Sequence, residues 1–132
     1  MFILYHPVTP TLERAVREAA AYAKLREHFE SMAVLIWIGQ PFPPPSVEVR
    51  AAFAAGFASG PAIEAVAWVV DSDRILSGSV VRSVSTQMFP RAAQVQIFRD
   101  PFEAAGWLTT IEGTDPVFII DGLDALDQAQ PA

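Results

Sequence analysis

The sequence predicts a single small α/β domain in which strands and helices alternate. Two short, uninterrupted apolar runs, residues 33–38 and 65–70, have the composition of strands covered on both faces, as parallel sheets require. The segments between the strand candidates carry apolar residues at helical spacing. At 132 residues the chain has the common size of one domain, long enough to bury about two-thirds of the surface its unfolded form exposes. Just over half of its residues are hydrophobic and 18% are charged, which excludes a largely disordered chain.

Residues 2–5 form the first strand candidate. Thr9-Pro10 follows, where Thr9 caps a helix and Pro10 fills the first helical position, whose N–H has no partner in any case. The helix is expected to reach about His28. Leu12, Ala15, Val16, Ala19, Tyr22, Ala23 and Phe29 make its apolar stripe, with Glu13, Arg14, Arg17, Lys24 and Glu27 on the other side. Residues 33–38 are the second strand, and Gly39 lets the chain turn. Pro41-Phe42-Pro43-Pro44-Pro45 is a stiff loop because proline fixes φ and forbids regular pairing. Ser46 caps the next helix, Glu48 sits in its first turn where the helix dipole favours an acid, and Val49, Phe53 and Phe57 mark its buried side. Ser59-Gly60-Pro61 ends it.

Residues 65–70 are the third strand, and Asp71-Ser72-Asp73 supplies caps for a third helix with the stripe Leu76, Val80, Val81, Val84 and Met88. Residues 94–98 alternate polar and apolar, the pattern of a less covered strand near a sheet edge. Asp100-Pro101-Phe102-Glu103 opens a short helix through Trp107 and Leu108. The main domain is thus read as residues 1–108. Residues 109–132 are a C-terminal extension with one strand candidate at 117–120 and a weak helix from Asp121.

Composition also narrows the partners. The formal net charge is −6 and the nine Lys and Arg are scattered, so nucleic acid is not an expected partner. The longest apolar run, 32–39, is far shorter than the roughly 20 residues that cross a bilayer. MFILYHPVTP lacks the basic residues and cleavage site of a secretory leader, and a cytoplasmic location is expected.

With these elements placed, a family pattern emerges. Ile63-Glu64-Ala65-Val66-Ala67-Trp68-Val69-Val70-Asp71, then Met88-Phe89-Pro90, Ala93-Gln94-Val95-Gln96-Ile97-Phe98-Arg99-Asp100 and Glu103-Ala104-Ala105-Gly106-Trp107-Leu108, resembles the C-terminal half of SpoIIAA-like proteins of the bacterial STAS superfamily. Ile3-Leu4-Tyr5, Pro7-Val8-Thr9 and the helix after them resemble the family's first helix and the strand leading into it. The resemblance covers roughly residues 2–108. It implies a mixed sheet of four to five strands with helices against it. It also implies one of two roles: a phosphorylation-switched antagonist of an anti-sigma factor, or a protein associated with small lipophilic ligands or membranes. The switch subfamily carries Asp-Ser-Ser/Thr-Gly where this chain reads Gly39-Gln40-Pro41-Phe42-Pro43-Pro44-Pro45-Ser46, so the switch role is disfavoured. The family's N-terminal hairpin is reduced to one strand, and 117–120 is the candidate to cover the edge this leaves.

The function expected is that of a non-enzymatic binding or regulatory module. Its ligand is an apolar small molecule or an unidentified protein partner, a second copy of the chain included. The candidate binding residues are Gln40, Phe42, Ser46, Phe53, Phe57 and Met88, gathered around the proline-rich loop at the carboxyl end of a central strand, where open α/β sheets bind ligands. Phe53, Phe57 and Met88 at helical spacing are read first as core, with Phe42 the exception because a proline loop is seldom buried. No cofactor and no metal are expected. Asp71, Asp73, Asp121 and Asp124 at strand ends are the residues on which the alternative of a small metal-dependent enzyme rests, but Asp71 or Asp73 and Asp121 are read as helix caps in preference to a magnesium site. A receiver domain needs an acidic pair after the first strand, where this chain has His6-Pro7. The two histidines, His6 and His28, are expected to be solvated, and Ser77-Gly78-Ser79 to be ordinary helix surface.

Overall fold

The computed structural model describes residues 1–6, 9–39, 45–70 and 78–112. Four strands, β1 (Phe2–His6), β2 (Ser31–Ile38), β3 (Ala62–Val70) and β4 (Gln94–Phe98), alternate with four helices, α1 (Leu12–Lys24), α2 (Val47–Ser59), α3 (Gly78–Met88) and α4 (Pro101–Glu112). The strands lie in the order β1-β2-β3-β4, and every neighbouring pair is parallel. The expectation of a mixed sheet is therefore corrected: among the described residues no strand runs antiparallel, because the helix between one strand and the next returns the chain to the same end of the sheet.

Alternation along the strands divides the core into two layers. Val34, Ile36 and Ile38 of β2 and Val66, Trp68 and Val70 of β3 face α1, α2 and α3. Ala33, Leu35 and Trp37, with Ala65, Ala67 and Val69, face α4 through Ala104, Ala105 and Leu108. Both central strands are buried on both faces, as their unbroken apolar runs require. Gln94 and Gln96 of β4 are exposed, in keeping with its edge position.

Local differences from expectation have local causes. The cap of α1 is Thr11, whose hydroxyl accepts from the Arg14 N–H at 3.2 Å. The helix ends at Lys24 and a 3₁₀ turn, Leu25–Glu27, completes it. Its buried stripe is only Ala15, Ala19 and Tyr22, while Leu12, Val16 and Phe29 are about half exposed. At 100° per residue Leu12 and Val16 fall on the flank of that stripe, and Phe29 lies beyond the helix. The last helix runs past Leu108 to Glu112, continued by Ile111, which packs on the α4 layer. Ser46 caps α2 as expected, accepting from the Val49 N–H at 3.3 Å. Asp100 Oδ1 accepts from the Phe102 N–H at 2.9 Å at the start of α4.

Tyr22 ties the three-helix layer together. Its ring stands edge-on to Phe2 at 5.1 Å and packs on Phe57 at 4.7 Å, and its buried hydroxyl donates to the Pro61 carbonyl at 2.8 Å. The turn from α2 into β3 is thereby fixed against α1.

Candidate functional site

The last residue of β1 is His6, and the position decides its environment. An even-numbered residue on β1 shares the face of Leu4, toward the three helices, so the imidazole turns inward rather than into solvent. The side chain is 4% exposed, which corrects the expectation of a solvated histidine. Its carbonyl accepts from the Gly39 N–H at 3.0 Å, joining the carboxyl ends of β1 and β2. His28, by contrast, is exposed in the turn after the 3₁₀ segment.

Glu18 on α1 meets the imidazole: Nε2 lies 3.0 Å from Oε2 and 3.1 Å from Oε1. Arg14, one turn earlier, donates from Nε to Glu18 Oε1 at 2.7 Å and from Nη2 to the Tyr5 carbonyl. Burial raises the pKa of the Glu18 carboxyl. Hydrogen bonds and favourable electrostatics from His6 and Arg14 outweigh this and hold it below its usual value of 4.5. The Phe53 ring lies 5.8 Å from the imidazole.

His6 lines a narrow apolar crevice between the sheet and α2 and α3, with Ile38, Phe53, Trp68, Val84 and Met88. Counting its open mouth it spans about 400 Å³, with about 20 Å³ of room for a water-sized group. The Trp68 indole N–H is committed to Ser85 Oγ at 2.9 Å and His6 Nε2 to Glu18, and the open surface of the crevice is apolar.

A second concavity lies at the opposite, amino ends of the strands. It holds about 510 Å³. The buried Phe57, Met88 and Phe89 form its floor together with Ile63, and the exposed Arg26, Phe29, Glu30 and Arg91 its rim. It exists because α2 and α3 both stop there, at Ser59 and Met88, and the chain leaves through Gly60-Pro61 and Pro90.

The sequence-predicted binding residues separate along the three-helix layer. Phe53 lines the carboxyl-end crevice, Phe57 the amino-end groove, and Met88 both. All three are also core residues, 4% exposed or less. Ser46 is exposed and engaged as a cap. Gln40 and Phe42 lie outside the described residues, as do Asp71, Asp73, Asp121, Asp124 and the candidate strand 117–120. Sequence reasoning missed His6, Glu18 and Arg14. The available signal was the pairing of Arg14 with Glu18 at i and i+4, followed by asking what one helix turn of charge does beside a strand end.

No family model, curated protein or solved structure matches the chain. Among the described residues there is no group of three or more His, Cys, Asp or Glu that could hold a metal, and no helix long and apolar enough to cross a membrane.

Proposed function

We propose that the chain is a non-enzymatic binding module that holds a small apolar molecule in the groove at the amino ends of its strands. The groove's size carries this reading. About 510 Å³ falls within the range of small-molecule sites, with an apolar floor of Phe57, Ile63, Met88 and Phe89 and a polar rim of Arg26, Glu30 and Arg91. The half-exposed Phe29 at its edge supplies an aromatic wall that a ligand would cover. Arg26 stands in the last turn of the 3₁₀ segment, where a cation complements the helix carboxyl end.

A SpoIIAA-like identity within the STAS superfamily, and with it a bacterial cytoplasmic setting, belongs to the same proposal. It is supported by the strand and helix order along residues 2–108. The phosphorylated alternative finds no support in Ser46, whose hydroxyl is spent on capping α2.

The test is occlusion. Ala58 is exposed on α2 and lines the groove, so Ala58→Trp fills it without touching the core. Titration of a series of uncharged aromatic probes, followed by amide shifts, should map to Phe29, Ile63 and Phe89 and be abolished in Ala58→Trp. Probe binding that survives Ala58→Trp, or maps elsewhere, overturns the reading.

A further inference from the structure

We propose, resting on the reading of the amino-end groove as a small-molecule site, that its ligand has a carboxylate head held between Arg26 and Arg91 and an apolar tail laid on the floor. The two arginines reach the groove from opposite flanks. α2 packs between α1 and α3; Arg26 lies in the 3₁₀ turn that completes α1, and Arg91 follows Pro90 just beyond the end of α3. Both are exposed, and among the described residues neither guanidinium has a hydrogen bond or an ion pair. The chain as a whole carries a net charge of −6, so two unpaired cations beside one apolar floor run against its overall charge.

The lining selects both halves of the ligand. The side chains of Phe57, Ile63, Met88 and Phe89 offer only carbon and sulfur, which suits a tail without polar groups. At about 510 Å³ the groove has room for a chain of several carbons, and a bare anion such as acetate would leave that floor uncovered. The rim supplies the donors: a guanidinium presents a planar fork of N–H groups that matches the oxygens of a carboxylate. Glu30, the one acid on the rim among the described residues, is placed there by its carbonyl, which accepts from the Ala62 N–H at 2.9 Å. Two arginines against one glutamate leave a single positive charge, which one ionised carboxylate meets. A phosphate monoester brings nearly twice that charge beside Glu30, and an ammonium is repelled by both arginines.

The experiment titrates octanoate, octanamide, octylammonium, octyl phosphate and acetate into the full chain at neutral pH and follows backbone amide shifts. Octanamide has the shape of octanoate without its charge, so the ratio of their affinities reads the head group. The expected result is shifts at Phe29, Ile63 and Phe89 with both, octanoate binding about fivefold or more tighter than octanamide, and that advantage lost at high salt. Arg26→Gln combined with Arg91→Gln alters two exposed side chains, so the fold is kept and octanoate should fall to the affinity of octanamide. Equal affinities of the two in the unaltered chain, a preference for octanoate that survives the double variant, acetate binding as tightly as octanoate, or tighter binding of octylammonium or octyl phosphate would each overturn the proposal. In those cases octanamide seated in the groove would leave the reading of a small-molecule site standing. Shifts that map away from the groove, or binding of neither octanoate nor octanamide, would overturn both.

Discussion

Two helical glycines make the same substitution carry opposite signs. In a helix interior Gly→Ala gains roughly 1 kcal/mol of propensity. At Gly106 on α4 an added Cβ meets nothing within 4 Å, so Gly106→Ala should show that gain undiminished. At Gly56 on α2 the added Cβ would overlap the Ala19 side chain and come within 2.8 and 2.9 Å of the Ala19 Cα and carbonyl carbon. Those are backbone atoms of α1 and cannot swing away, so the two helices must part, at an overpacking cost of about 1–3 kcal/mol that exceeds the propensity gain. At about 4 °C per kcal/mol for a chain of this size, Gly106→Ala should raise Tm by ~4 °C and Gly56→Ala should lower it by several degrees. Thermal and urea unfolding of the two variants side by side measure this. Ala19→Gly combined with Gly56→Ala should show favourable coupling, since it removes the worst of the overlap. A Gly56→Ala protein as stable as the parent, or more so, would mean that α1 and α2 are not in close contact and would refute the packing described here.

Glu18 gives a pH signature. Its folded pKa is lowered below 4.5, so the stabilisation it supplies is complete above that value and is lost as pH falls through the lower folded pKa. Glu18→Gln should therefore cost about 1 kcal/mol at pH 7 and progressively less in urea melts below pH 4.5, and a gap that widens in acid would contradict this. Ser85, 1% exposed, accepts the buried Trp68 indole N–H, and Ser85→Ala should cost about 1–3 kcal/mol in chemical denaturation. A loss under about 0.5 kcal/mol would mean that another acceptor replaces it. Amide exchange should be slowest in β2 and β3 and faster in the edge strands β1 and β4, and rapid exchange in the middle of β2 or β3 would break the strand order.

The fold was legible wherever a single local rule decides. Residues 33–38 and 65–70 are apolar on every position, which only two-sided burial rewards, and they became the two central strands. The Ser46 and Asp100 caps were readable because a side-chain oxygen beside a free N–H is a local event. Strand direction was less legible, since parallel and mixed sheets use the same residues and differ in how the connections return. The α1 stripe was drawn too wide for a related reason. Periodicity shows which residues share a side, but the width of the buried strip depends on the partner. Here α2 approaches at Gly56 opposite Ala19, so close that a narrow strip of Ala15, Ala19 and Tyr22 suffices and Leu12 and Val16 are left at the flank.

The site was less legible because it depends on contacts between distant residues. Nothing local to His6-Pro7 shows that the imidazole turns inward. That follows from which face β1 shares with Leu4, and from a carboxylate twelve residues away. Both concavities lie on the three-helix face, and the α4 face explains why. There Ala33, Ala65 and Ala67 share a layer with Ala104 and Ala105, small with small, so one helix lies close over the middle strands. On the other face aromatic rings from β1, α1, α2 and the end of α3 fill the space in discrete blocks: Phe57 packs on Tyr22 at 4.7 Å and on Phe89 at 4.6 Å. Large rigid blocks under three separate helices leave seams where the helices diverge, and the seam between α2 and α3 is divided by Met88, which lines the crevice on one side and the groove on the other. Methionine is unbranched and fits irregular gaps, so the division between the two sites is made by the most adaptable side chain in the layer. Size and polarity distinguish the two ends, since the groove has room and a charged rim of Arg26, Glu30 and Arg91 whereas the crevice has little room and an apolar lining.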